Sequence, residues 1–479
     1  MLDRNREPEL SDGCREFRLV QRATRRQMLT VGALSGMGLI LPDLLRARAA
    51  AGETSRSGTF GRAKSVIFLY LHGGHPQQET WDPKPNSPSE VRGDFDDVST
   101  AVPGTRICEL FPRCASITDQ LTILRSLTHD NSNHVQASLS AMTGHHHPPG
   151  TEAQGDIPPS PDDFPPYGAV LSSLREASGA SGGLSEGAPL PTWVQVGPLM
   201  RRANGTVLHG QQPGFLGARF SPFVVNQDML PADVSVNAVT PKLPVLRLRA
   251  RRRLLAQVDE QRKLLEDAAT AQSLDYFYQR AFGLLTSQQT ARAFDLAAEP
   301  ASARERYGMT QFGQCCLLAR RLAEARVPMI NVHYCHTPRG SWDTHRNNAG
   351  RMKGFLAPTL DQSLSALVTD LGQRGLLDET LVVATAEFGR TPKINEYGGR
   401  DHWPWVYSIA LAGAGMKPGV VYGSSDKIAA YPETNPRDPR DFAATLYHLL
   451  GVPPETSVVD REGQRHQLIT GDRIREVLA

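Results

Sequence analysis

Short apolar runs that stop abruptly on polar residues recur along this chain. Residues 66–71, 121–127, 191–196, 327–333 and 381–384 are each rich in branched or aromatic side chains. Runs of that length, apolar at consecutive positions, predict strands buried on both faces of a sheet. Two further runs, 406–411 and 419–422, predict strands nearer the C-terminus. Between them the apolar spacing changes to threes and fours, which predicts helices at 135–144, about 355–374 and 440–450. Gly144, Gly375 and Gly451 stand where those helices should stop. The same spacing runs through residues 245–325 and predicts a helical insertion, with the arginines of 247–253 on its wet face. From 204 to 244 there is glycine and proline but no strong period. The strand–loop–helix–strand order between 327 and 384 is a βαβ unit, which requires parallel pairing. The expected fold is therefore α/β: a mostly parallel central sheet flanked by helices, one domain over residues 62–479 with the insertion at about 245–325.

Residues 1–50 do not fit that pattern. Arg25-Arg26 precede an apolar stretch of about 15 residues and then small residues around Ala49. This reads as a twin-arginine (Tat) signal peptide, cleaved near Ala49. The stretch is too short to span a bilayer securely. The expectation is export to the periplasm or cell envelope, with no stable membrane insertion after cleavage. The segment also distorts the charge. The chain has 52 basic and 50 acidic residues, but residues 1–50 hold nine arginines and six acids, leaving 43 basic against 44 acidic beyond. No basic excess remains to hold nucleic acid. Cysteines are few: Cys14, Cys108, Cys114, Cys315, Cys316 and Cys335 form no CxxC pair and no zinc spacing. One disulfide, with Cys108–Cys114 as the candidate pair, is an option after export; a dense disulfide framework is not.

The candidate chemistry gathers just after the strands, where ligands bind in an open α/β sheet. His72 and His75 flank two glycines, and Asn133-His134 opens a helix. Asp343 and His345 follow the fourth run, Glu387 follows the fifth, and Asp401-His402 closes the next loop. Imidazoles with carboxylates and no paired thiols suit a divalent ion such as Zn, Mn, Ca or Fe. The expected ligands are His72, Asp343, His345, Glu387, Asp401 and His402. At Glu387 and Asp401-His402, a salt bridge capping the strand is an equal alternative. Arg390 is placed either to grip a phosphate or sulfate in a bidentate fork or to pair with Glu387 or a neighbour. The triplet His145–His147 lies in a proline-rich loop and is expected to be solvated.

Taken together, several motifs carry a resemblance. They are the twin-arginine leader, Leu71-His72-Gly73-Gly74-His75, Trp81-Asp82, the Asn133-His134 turn and the helix end Thr143-Gly144. Ser341-Trp342-Asp343-Thr344-His345, Glu387 to Pro392 and Gly399 to Trp403 complete the set. In combination they resemble the DUF1501 family of exported bacterial proteins of unknown function, over nearly all of the mature chain. That family is similar in turn to the alkaline phosphatase and sulfatase superfamily, which implies an alkaline phosphatase-like sheet.

Sulfatases read Cys-x-Pro-Ser-Arg ahead of a Thr-Gly; the matching nucleophile position here is His134. Their paired Asp after the first strand matches Leu71-His72. Their Thr-Ser-Asp-His-Gly matches Thr385-Ala386-Glu387-Phe388-Gly389, with Phe388 where a metal-binding His would stand. Asp343-x-His345 resembles their Asp-x-x-x-His with two residues missing. The resemblance implies an exported, metal-dependent hydrolase of a phosphate, sulfate or related ester, acting on a small-molecule or glycan substrate. His134 or water would complete the attack, with Arg390 on the anion and Ser132 as a nearby replacement nucleophile. The alternative is a non-catalytic pseudoenzyme that binds an anionic glycan or a protein partner in the cell envelope.

Overall fold

Strand β1 (Ser65–Tyr70) is buried at every residue, and the sheet is built outward from it. In a computed structural model, residues 58–151, 154–179, 190–231, 280–334 and 341–479 are described, with isolated positions between 233 and 278. The expected signal peptide, nearly all of residues 248–279 of the helical insertion and Cys335 lie outside the described residues. The other sheet strands are β2 (Leu121–Leu127), β3 (Trp193–Val196), β4 (Phe223–Val225) and β5 (Met329–His333). They are followed by β6 (Thr380–Thr385), β7 (Tyr407–Ala412) and β8 (Val420–Tyr422). Their order across the sheet is β8-β2-β7-β6-β1-β5-β3-β4.

Every pairing is parallel except those of β7, which runs antiparallel to both β2 and β6. The expected βαβ unit between 327 and 384 is present, with β1 lying between its two strands: Ile67 sits opposite both Ile330 and Val382. The carboxyl ends of β1, β2, β5 and β6 therefore share one edge of the sheet. Because β7 is reversed, the chain entering it arrives at that same edge.

Alternation along each strand sends side chains to two cores. Ile67 and Leu69 join Val332 and Val382 on one face, under α3 (Gln311–Glu324) and α4 (Ala357–Gln373). Val66, Phe68 and Tyr70 join Leu381 and Val383 on the other. That second face is covered by α1 (His134–Thr143), α2 (Tyr167–Ala177) and α5 (Pro439–Leu449). Full burial of each such apolar side chain contributes roughly 1.5–3 kcal/mol, which is why the strands read as unbroken apolar runs.

Helix α3 is a correction to the insertion expected at about 245–325. Its Leu317, Leu318 and Leu322 are fully buried against the sheet, so it belongs to the domain's own layer. It is pinned by a buried charge network. Arg320 meets Glu299 at 2.6 Å and Asp370 at 3.0 Å, and the Tyr307 hydroxyl donates to Asp370 at 2.9 Å.

The Cys108–Cys114 disulfide does not form; both thiols are free and buried. Cys108 ends a short strand, and Cys114 sits in a short helix whose N–H groups are held by the Asp361 carboxylate. Burial pushes the Cys108 thiol up to about 12, so it stays protonated and inert. Among the described residues, no helix is long and apolar enough to cross a membrane.

Candidate metal centre

At the sheet edge, four loops meet around one carboxylate. The first contributor is the start of α1. The Asn133 side chain caps that helix by accepting from the Val135 N–H at 2.8 Å, and this seats His134 in the first turn, buried. The loop after β6 supplies Glu387, which has no exposed surface. Its Oε1 accepts from His134 Nδ1 at 2.5 Å and from the Gly73 N–H at 2.9 Å. Gly73 is obligatory: at φ +109°, a Cβ there would stand 2.2 Å from the Asp343 backbone nitrogen. Only a glycine lets the loop after β1 lie against the loop that carries Asp343.

The hairpin that follows Glu387 pairs Gly389–Arg390 with His402–Trp403, folding His402 back over the edge. Asp343 Oδ1 then faces three imidazoles. It lies 3.3 Å from His134 Nε2, 3.0 Å from His345 Nε2 and 3.4 Å from His402 Nε2. Each ring has its other nitrogen on an oxygen acceptor. His134 Nδ1 meets Glu387 at 2.5 Å, His345 Nδ1 meets Asp401 at 2.6 Å, and His402 Nδ1 meets the Ser132 carbonyl at 2.7 Å. Acceptors at Nδ1 put the ring proton there, so each neutral ring turns a lone pair inward at Nε2. That is how metal-binding histidines are oriented by their outer partners. The Nε2 atoms of His345 and His402 are 2.9 Å apart, a separation at which two bare lone pairs repel. A cation between them removes the conflict. The four donor atoms lie within 4.8 Å of one another, so the residues present fit a divalent ion.

The charges agree with this. Burial alone would raise the Asp343 carboxyl, but the three imidazoles beside it and the Arg390 charge hold it well below the carboxylate range. Burial opposes ionisation of Glu387 too, yet the bond from His134 holds it at about 2. Burial lowers His402 to about 3, so it is neutral and ready to donate a lone pair. His345 is shifted upward by the Asp343 carboxylate beside it.

Of the expected ligands, Asp343, His345 and His402 come together, and Asp401 stands one bond behind His345. His134, expected as the attacking group, occupies a ligand's position. His72 and Glu387 form a second, fully buried group with the same His134. His75 lies apart, bonded to the Ser408 carbonyl at 2.7 Å. Phe388 is buried with its ring 4.7 Å from that of His134 and 4.8 Å from that of His402, so it backs the imidazoles rather than replacing one.

Arg390 is the main correction. Its guanidinium is fully buried and donates to the carbonyls of Gly73, Gly74 and Arg400 and to Asp343 at 2.6 Å. It cannot clamp a bound anion; the ion-pair alternative holds, with Asp343 as partner. The histidine triplet is partly buried and bonded to protein groups rather than free in solvent. His145 stacks on Phe164, His146 meets Asp438 at 2.8 Å, and His147 meets Thr151 at 2.7 Å.

Two contributors were given no role from sequence. Arg400 and Glu79 form a buried ion pair at 2.8 Å that anchors the segment just before Asp401. Arg202 Nη1 stands 3.7 Å from Asp343 Oδ2.

Comparison with known proteins bears on the family and little else. No curated protein matches the chain. Several solved structures are similar at low identity. PsFucS1 sulfatase from Pseudoalteromonas sp. shares 13% identity over 89% of this chain and 77% of its own, with a TM-score of 0.37. A protein in the alkaline phosphatase superfamily from Vibrio parahaemolyticus shares 11% over 88% and 71%, with a TM-score of 0.36. The phosphonate monoester hydrolase of Agrobacterium radiobacter shares 11% over 86% and 77%, with a TM-score of 0.34. Likeness of that degree says nothing of activity. The profile of DUF1501, described as a protein of unknown function, matches residues 63–478, which takes in all eight strands and every candidate ligand above. The chain belongs to the DUF1501 family.

Proposed function

We propose that this protein is an exported, metal-dependent hydrolase of a phosphate, sulfate or related ester carried by a small molecule or glycan. The observation that supports it is the convergence of three imidazole Nε2 atoms on Asp343 Oδ1, each ring oriented by an oxygen at Nδ1. His134, Asp343, His345 and His402 would hold the ion. Three nitrogens and one carboxylate oxygen suit zinc, and also Mn or Fe. When bound, the ion supplies a Lewis acid for an ester oxygen and brings the pKa of a coordinated water toward about 7.

The chain's own residues set the conditions. Glu387 and Asp401 hold the Nδ1 protons, Phe388 keeps water from the inner side, and Arg390 fixes the rotamer of Asp343. Access is from the side of His345 and Asp401, whose side chains are 41% and 52% exposed. A twin-arginine leader would deliver the folded, loaded protein to the periplasm or cell envelope.

The test is elemental analysis of the purified mature protein, followed by a panel of aryl phosphates, phosphonates and sulfates. Near-stoichiometric metal with turnover of at least one ester is expected. Protein that neither carries nor takes up a divalent ion would sink the reading. A second reading is favoured by one feature: where sulfatases carry a nucleophile, His134 is tied at Nδ1 and aimed at Asp343 by Nε2. A protein that holds metal but turns over nothing on the panel would be a binding protein for an anionic glycan or envelope partner.

A further inference from the structure

Arg390 is walled in, and Arg351 donates to the backbone carbonyls of Asp343 and Ser341, which leaves the Arg202 guanidinium facing the Asp343 carboxylate. Arg202 sits on a tight turn between Arg201 and Val207, which form an antiparallel bridge. The Arg202 N–H donates to the Thr206 carbonyl at 2.8 Å, and the Gly205 N–H returns to the Arg202 carbonyl at 2.9 Å. Asp156 fastens this turn to the start of α1, accepting from Asn204 at 2.9 Å and from Asn133 at 3.2 Å. The turn is therefore tied to the helix start that carries His134.

The Arg202 side chain is 31% exposed, whereas that of Arg390 is 0% exposed. Its Nη1 is 3.7 Å from Asp343 Oδ2 and its Nε is 3.7 Å from Asp156 Oδ2. Both separations exceed hydrogen-bond length, so the fork is attracted to two carboxylates without being closed on either. Asp343 divides its oxygens: Oδ1 faces the imidazoles and Arg390, Oδ2 faces Arg202.

We infer that Arg202 forms an anion subsite beside the metal centre, one that binds a tetrahedral oxyanion ester. One oxygen of the anion lies toward the ion and another accepts from the Arg202 fork. A planar guanidinium with unspent N–H groups matches two oxygens of such a group better than an ammonium does. Arg202 is a specificity residue in this arrangement, and the claim rests on the metal reading above.

The experiment uses the full mature protein loaded with zinc, its metal content measured before each titration. Inorganic phosphate and inorganic sulfate are titrated separately by calorimetry into the parent, Arg202→Ala, Arg202→Lys and Arg201→Ala. Arg201 is exposed on the same turn and controls for damage to it. The expected result is tight binding of at least one anion, weakened tenfold or more in Arg202→Ala at unchanged metal content. Arg202→Lys should recover part of the loss and Arg201→Ala should match the parent. The stronger of the two anions identifies the ester. Parent-like binding of both anions by metal-replete Arg202→Ala would overturn the subsite, as would a metal-replete parent that binds neither. A parent that takes up no zinc removes the centre itself, and the subsite with it.

Discussion

At the scale of single residues, Asp343 concentrates the argument. It is approached by three imidazoles and by Arg390, and it has been stripped of most of its water. Asp343→Asn keeps the shape but removes the charge, so the variant should lose metal affinity by two orders of magnitude or more, read by competition with a chelator. Asp401→Asn should lose less, about 10–100-fold, because Asp401 acts by holding the His345 ring. If both substitutions cost the same, Asp401 is a ligand rather than an outer partner. Asp343, His345, Glu387, Asp401 and His402 could be picked out in sequence as candidates, because packing does not require an imidazole or carboxylate in a loop that follows an apolar strand. The roles of Arg390 and His134 were not legible. Arg390's fate depends on three backbone carbonyls, and carbonyls leave no trace in a residue code. His134 could be placed at a helix start, but its partners Glu387 and Asp343 come from loops more than 200 positions away.

At the scale of elements, the start of α1 and the loop after β1 set the geometry. Asn133→Ala removes the helix cap and should cost about 1 kcal/mol in denaturant unfolding. Gly73→Ala tests the close approach of two loops. Its Cβ would collide with the Asp343 backbone, and its φ is one that side chains disfavour. The expected outcome is a protein with normal far-ultraviolet circular dichroism and little or no bound metal. Normal metal content in that variant would mean the loops have slack that the structure does not show. The strands were read well from sequence because burial on both faces leaves an unmistakable apolar run. The insertion was misread at α3 for a related reason. A helix that covers a sheet and a helix that protrudes share the same three-and-four spacing, and periodicity alone does not say what the apolar face meets.

For the whole molecule, pH and metal should act on stability in ways that can be separated. His75 and His333 are buried, and burial lowers each to about 4. In the unfolded chain they titrate near 6.5, so between about pH 6.5 and 4 the unfolded state binds more protons than the folded one. Their contribution is complete above about pH 6.5 and is lost as the pH falls toward 4. At pH 5 the loss is of order 2 kcal/mol for each histidine. Urea unfolding at pH 7.5, 6 and 5, with chelator present throughout, should show the decline. A flat profile would mean that these imidazoles find water or counter-charges in the folded state. Adding zinc at pH 7.5 should raise the melting temperature, because an ion that binds only the folded chain shifts the equilibrium by mass action.

The donors of the centre stand at positions 134, 343, 345 and 402, and no disulfide joins the four cysteines that are described. An ion held there would cross-link distant parts of the chain and close loops of roughly 60 to 200 residues, the lengths at which loop-closure entropy is greatest. The loaded protein would therefore behave as though covalently stapled, and the staple would come out with a chelator instead of a reductant. Limited proteolysis should then proceed faster in chelator than in reducing agent, with early cuts in the segment between His345 and His402.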